Sequence, residues 1–375
     1  MTTLSEVVRN SSVVVCCGSG GVGKTTTAAV IALRAASEGR RSVVVTIDPA
    51  RRLANALGLA DLTNSPTRID GVTSPDGAGE MWAMMLDTKA TFDGLVERYS
   101  TDPRQSERIL SNGFYQNISG SLSGTQEYMA SEKLYELAVE GDFDLVVVDT
   151  PPTRNALDFI DAPQRLAQFL SHPLYRVFMA PRGGIVKAVN LAAQALTRSI
   201  AKVVGAEVIG DAVAFFRAFE GMERGFAERA RHVERLLAAP ETAFVLVASP
   251  KADTVAEADY FADRLHDHGI RVRGLIVNRM QPSFAGTAGR EEGLATGADA
   301  VRARAETLRG TALGDLYTCL ADARELARDE EAHLAGLVAR IDEAPLVRVP
   351  VQPFEVTDLE ALEALGDVVF ADPAV

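Results

Sequence analysis

Three cysteines in 375 residues, Cys16 and Cys17 side by side and Cys319 far away, are too few for a disulfide framework. The same scarcity leaves no Cys-x-x-Cys pair for a structural zinc and no thiol cluster for a soft metal. Lysine is scarce too, at six of 38 basic residues. Acids number 51, so the net charge is −13, and no block of basic residues occurs. That balance argues against a nucleic-acid footprint or an anionic-membrane face. No run of about 18 apolar residues is present, so no bilayer-spanning helix is expected. The first apolar stretch, Val13 to Cys17, is too short for a signal peptide. The expected address is the cytoplasm. What the chain does have is 47% hydrophobic and 24% charged residues, the balance of a globular protein and not of a disordered one.

Short β-branched runs alternate with longer helical stretches, which predicts an α/β fold with a mainly parallel, helix-covered sheet. Strands are expected at Val13–Cys17, Ser42–Ile47, Trp82–Leu86, Leu145–Val148, Phe244–Val247, Gly274–Val277 and Leu346–Val349. Several are apolar at every position, as strands buried on both faces require. The chain is expected to form a single domain over 1–375, with helical insertions near 92–140, 161–240 and 283–343. Pro181–Gly184 reads as a loop, and Gly286, Gly289, Gly293 and Gly297 mark the entry to the last insertion. In the middle insertion, Phe215, Phe219, Met222, Phe226, Val233 and Leu237 recur at helical spacing. They are either ordinary core or an apolar surface for a client.

Gly18-Ser19-Gly20-Gly21-Val22-Gly23-Lys24-Thr25 follows one expected strand and opens a helix, the context that the G-x-x-x-x-G-K-[ST] motif needs. Backbone N–H groups of Gly20, Gly21, Val22 and Gly23, continued by Thr26, would turn toward phosphate oxygens, helped by the helix dipole. Lys24 would sit on the β- and γ-phosphates and the Thr25 hydroxyl on Mg²⁺. Leu145 to Asp149 is an apolar strand ending in a carboxylate, placed as the second Mg²⁺-site residue, direct or through water. Asp48 ends the strand after the P-loop helix. It is placed either to polarise water attacking the γ-phosphate or to cap a helix before Pro49. Thr150-Pro151-Pro152-Thr153 is a stiff turn at the γ-phosphate end.

The order of P-loop, Asp48-Pro49-Ala50, apolar strand with Asp149-Thr150-Pro151-Pro152-Thr153, Val277-Asn278-Arg279 and Val349-Pro350-Val351-Gln352-Pro353 resembles the ArsA/GET-type ATPases. The similar segments, about 12–59, 119–160, 243–280 and 345–366, cover a little under half of the chain. The resemblance implies a P-loop ATPase using ATP and Mg²⁺ and working as a face-to-face dimer. It makes Asp48 the water-activating carboxylate, Asp149 the Mg²⁺-site aspartate and Asn278 the adenine-contacting amide. Pro350 and Val351 would belong to the loop that closes over the base. An amide suits an adenine edge because it donates and accepts at once.

The departures from that family carry as much information. Its first P-loop lysine, which crosses the dimer to the partner's phosphates, is Ser19 here. Arg51 and Arg52 follow the Asp-Pro-Ala segment where the family has His and a small polar residue, read first as solvated helix-start arginines and otherwise as a stand-in for that lysine, and Arg154 replaces a glycine. Zinc and arsenite sites are not expected.

The leading expectation is an ATPase whose nucleotide cycle gates a dimer and so a client protein or partner. A homo- or heterodimer is open, a lysine-bearing P-loop homologue being the favoured partner. The alternatives are an ATP-binding scaffold with little hydrolysis and, last, a partitioning or positioning ATPase, against which the acidic tail around Leu359–Asp367 speaks.

Overall fold

A computed structural model describes residues 2–48, 51–75, 77–118, 125–151, 160–162, 164–165, 206–282, 284, 298–341 and 343–371. Pro49, Ala50, Pro152, Thr153, Arg154, the loop at 181–184 and the four glycines between 286 and 297 lie outside these residues.

In chain order the elements are α1 (Leu4–Arg9), β1 (Val13–Cys17), α2 (Lys24–Ser37), β2 (Arg41–Thr46), α3 (Arg52–Ala56), β3 (Thr67–Arg68), β4 (Glu80–Met85), α4 (Thr88–Tyr99), α5 (Pro103–Leu110), α6 (Gly113–Ile118) and α7 (Thr125–Tyr135). A π-helical turn, Glu136–Glu140, leads to β5 (Leu145–Asp149). Then come α8 (Ala206–Ala218), α9 (Glu223–Leu237), β6 (Thr242–Ala248), α10 (Ala252–Asp267), β7 (Val272–Met280), α11 (Ala298–Thr307), α12 (Ala312–Arg340), β8 (Leu346–Pro350) and α13 (Leu359–Val369).

The eight strands form one sheet in the order β3-β4-β2-β5-β1-β6-β7-β8. Every pairing is parallel except that of β3 with β4. The seven expected strands are all there, within three residues at their ends. β3, a two-residue exposed edge, was not expected, because two residues carry no hydrophobic period.

The central strands β1, β5 and β6 are buried along their whole length, since helices cover both faces. Their side chains alternate between two cores. Val13, Val15 and Cys17 face the layer of α7, α9, α10 and α12, where Leu134, Val233, Phe261 and Leu334 pack. Val14 and Cys16 face α1, α2, α3 and α13, with Ile31, Leu53 and Leu362. Cys16 and Cys17 therefore look in opposite directions, both buried and unpaired. α13, the acidic tail, is amphipathic and turns Leu362, Leu365 and Val369 inward.

A third core lies among the helices. Phe215, Phe219, Met222 and Phe226 are buried against Leu95, Val96, Tyr115 and Met129. Val233 and Leu237 join the sheet-facing core. The aromatic stripe is thus packed interior in this structure, the first of the two readings its spacing allows. A helical period marks which side is apolar, but not whether a neighbouring helix already covers it.

Parallel strands all end on the same side. Because β1 is followed in sequence by β2, while β5 lies between them in the sheet, a crevice opens at the carboxyl ends of β1, β5 and β2. Open α/β sheets bind ligands at such reversals of strand order.

Candidate functional site

The P-loop leaves β1 at Cys17 and turns into α2 at Lys24. Gly23 is its N-cap with φ +100°, a left-handed conformation in which a side chain is strained. A Cβ there would also stand 2.3 Å from the Asn278 amide nitrogen. That nitrogen donates to the Val22 carbonyl at 2.9 Å, so the end of β7 is tied to the loop. Asn278 Oδ1 accepts from the Arg279 backbone N–H at 2.9 Å, and Arg279 takes φ +62°. Each group of the amide keeps one further valence for another partner.

Lys24 is buried, and its Nζ donates to the Ser19 carbonyl at 2.7 Å. Burial first of all lowers its pKa from the ordinary lysine value; Asp149 opposes the shift and the charge of Arg52 adds to it. Thr25 Oγ1 and Thr46 Oγ1 donate to Asp149 Oδ2 at 2.8 and 2.9 Å. Asp149 is 1% exposed, and its other oxygen, Oδ1, is buried with no hydrogen-bond partner. Burial raises the Asp149 pKa, while the two threonine bonds and Lys24 pull it down.

These residues fit a hard divalent cation. A buried carboxylate oxygen with a lone pair to give, beside a threonine hydroxyl, is an oxygen set suited to Mg²⁺. Such an orphaned acceptor is costly unless a ligand satisfies it. Ser19 Oγ is a second buried atom without a partner, in the loop itself. Around Gly21, at φ +76°, nothing lies within 4 Å of where a Cβ would be, so the mouth of the loop is open.

Asp48 lies beside Asp149 at the end of β2, with its side chain 12% exposed. Its backbone N–H donates to Thr46 Oγ1 at 3.2 Å. Thr46 thus positions both carboxylates, a role that a single threonine in an apolar strand does not advertise. α3 begins at Arg52, and its N-cap residue Arg51 makes no side-chain cap hydrogen bond. Asp48 Oδ2 is 3.5 Å from Arg52 Nη1. Gln126, at the start of α7, donates to the Ile47 carbonyl at 3.1 Å and was missed for want of any motif.

Thr150 Oγ1 donates to the Cys16 carbonyl at 2.8 Å, anchoring the turn after β5. Pro350 and Val351 lie across from Met280, whose carbonyl accepts the Val351 N–H at 2.9 Å. A cavity of about 420 Å³, lined among others by Met280, Gln281, Pro282, Arg328 and Pro350, opens beside them. Gly20 and Val351 are exposed, Val22 is buried, and Thr26 is half-buried behind the loop. Burial raises the thiol pKa of Cys16 well above its ordinary value and that of Cys17 to about 12, so both stay protonated. Among the described residues no group of three His, Cys, Asp or Glu side chains could hold a metal ion. Among them, too, no helix is long and apolar enough to cross a membrane.

A Gly-rich loop, a lysine and two carboxylates come together at the ends of β1, β2 and β5. A family of anion-transporting ATPases matches residues 11–287. The chain belongs to that family. The ATPase ARSA2 of Chlamydomonas reinhardtii is 25% identical over 250 residues, which cover 66% of this chain and 62% of that protein. The ATPase ASNA1 homolog of Dictyostelium discoideum is 26% identical over 243 residues, 64% and 63% of the two chains. The ATPase get3 of Aspergillus terreus is 27% identical over 172 residues, 43% and 48%. The matches span less than two thirds of the length of these relatives.

Proposed function

We propose that this family member binds Mg·ATP in the P-loop crevice and hydrolyses it, and that the nucleotide state governs a dimer acting on a client or partner protein. The observation that carries the reading is the Asp149 carboxylate, held by Thr25 and Thr46 with one buried oxygen left over. In this reading the N–H groups from Gly20 to Gly23, with Thr26, cradle the phosphates. Lys24 exchanges the Ser19 carbonyl for the β- and γ-phosphate oxygens. Thr25 and Asp149 would hold Mg²⁺, which when bound neutralises charge on the phosphate oxygens. Asp48 orients the attacking water. Asn278 offers its spare donor and acceptor to the adenine edge, with Pro350 and Val351 beside the base.

Two substitutions test this. Lys24→Ala removes a charge-assisted phosphate contact, and ATP binding measured by calorimetry should largely vanish. Asp48→Asn keeps the shape and removes the charge, so ATP should stay bound while phosphate release stops. Equal ATP affinity in the first variant defeats the nucleotide assignment. Equal phosphate release in the second leaves Asp48 without its role. Tight ATP binding with negligible release in the wild type would favour a scaffold.

Ser19 bears on the dimer: a buried hydroxyl supplies no cation to a facing nucleotide, so a lysine reaching across the interface would come from a lysine-bearing homologue as partner.

A further inference from the structure

We propose that Arg52 is the cation that stabilises the transferring phosphoryl group, supplied by the same chain that binds the nucleotide. The inference rests on the ATPase reading above and assigns a catalytic residue within it.

Phosphoryl transfer spreads charge over the equatorial oxygens, and enzymes meet that charge with cations placed around them. Position 19 of the loop carries no charge. Among the described residues Arg51 and Arg52 lie close to the site, and they differ. Arg51 turns away, its Nη2 lying 3.3 Å from Asp61 Oδ2 at an exposed ion pair. Arg52 turns inward, its Nη1 lying 3.5 Å from Oδ2 of Asp48, the carboxylate that faces the attacking water in the ATPase reading. Its positive charge also weighs on the buried amine of Lys24. The Arg52 side chain is 57% exposed and that of Asp48 12%, so the arginine bridges from the carboxylate toward the open mouth of the site.

A guanidinium has donors enough for two partners and matches phosphate geometry bidentately. When the γ-phosphate arrives, Arg52 gains a more highly charged partner beside its present one. The water oxygen then bonds to the γ-phosphorus as the bond to the β,γ-bridging oxygen breaks. That oxygen leaves with the electron pair as ADP, and the water proton passes by way of Asp48 to the released phosphate. Arg52 stabilises the charge on the γ-oxygens throughout and keeps Asp48 facing the water beforehand.

The test uses the full chain and its Arg52→Ala, Arg52→Lys and Arg51→Ala variants. Phosphate release gives kcat and KM, and calorimetry compares a non-hydrolysable ATP analogue with ADP plus aluminium fluoride. Arg52→Ala should lower kcat by about 10³-fold and lose affinity for the fluoride complex in step, with analogue affinity little changed. Arg52→Lys should recover part of the rate, because a point charge replaces the planar fork. Arg51→Ala should behave as wild type. Wild-type kcat in Arg52→Ala, or equal losses for analogue and fluoride complex, overturns the assignment. A wild-type chain that binds Mg·ATP but hydrolyses none overturns it as well. A chain that binds no nucleotide overturns the ATPase reading itself.

Discussion

Replacing Thr46 by valine keeps the shape of a buried β2 side chain and deletes one hydroxyl. That hydroxyl donates to Asp149 Oδ2 at 2.9 Å and accepts from the Asp48 N–H at 3.2 Å. A hydrogen bond to a charged group is worth about 1.5–3 kcal/mol. On an ionised carboxylate this is about 10- to 150-fold in the balance between its ionised and protonated forms. The Asp149 pKa is already raised by burial, against which Thr25, Thr46 and Lys24 pull it down. Removing one of the two hydroxyls raises it further, so a proton competes with Mg²⁺ at a higher pH. The assay is Mg²⁺ affinity in the presence of a non-hydrolysable ATP analogue, followed by calorimetry from pH 8 down to pH 5. In Thr46→Val the affinity should begin to fall at a higher pH and be about 10-fold or more weaker at the acidic end. Thr46→Ser should restore the wild-type profile. Coincident profiles for valine and wild type would refute the claim that Thr46 holds the metal-site carboxylate ionised.

Gly23→Ala should weaken ATP binding severely, because its Cβ meets the Asn278 amide at 2.3 Å in a left-handed backbone; calorimetry beside Gly21→Ala, which shares the left-handed strain without that contact, checks this. Arg229→Met strands Glu132, whose side chain is 0% exposed, and should cost about 3–5 kcal/mol of stability. Arg229→Met/Glu132→Met should recover most of that loss in chemical denaturation. Arg98 holds the Glu140 pKa down at about 2 by direct hydrogen bonds, with Arg229 adding to it. A carboxylate depressed in the folded state contributes stability above its unfolded value, about 4.3, and loses it as pH falls toward 2. Hydrogen exchange in α4 and α9 should therefore quicken over that window, and less so in Glu140→Gln.

Much of this protein can be read from residue types at short spacing. The P-loop is legible because a tight phosphate cradle needs glycines, one lysine and one hydroxyl in a fixed run. The buried parallel strands are legible because a strand covered on both faces must be apolar at every position, as Val13–Cys17 and Leu145–Val148 are. Asp149 could be picked out as a strand-end carboxylate following a P-loop in the expected order.

What local sequence does not encode is which distant groups meet. Thr46 gains its place between two carboxylates only because β2 pairs with β5 in a register that sets it opposite Asp149. Asn278 ties down the P-loop because β7 ends beside it, 256 residues away in sequence. The apolar stripe of α8 and α9 carries the same period whether it faces solvent, a client or α4, and burial against Tyr115 and Met129 decides for the interior. Arg51 and Arg52 are adjacent and chemically identical. Only the turn of the chain into α3, with Arg51 outside the helix as its N-cap and Arg52 its first residue, sends one to Asp61 and the other to Asp48.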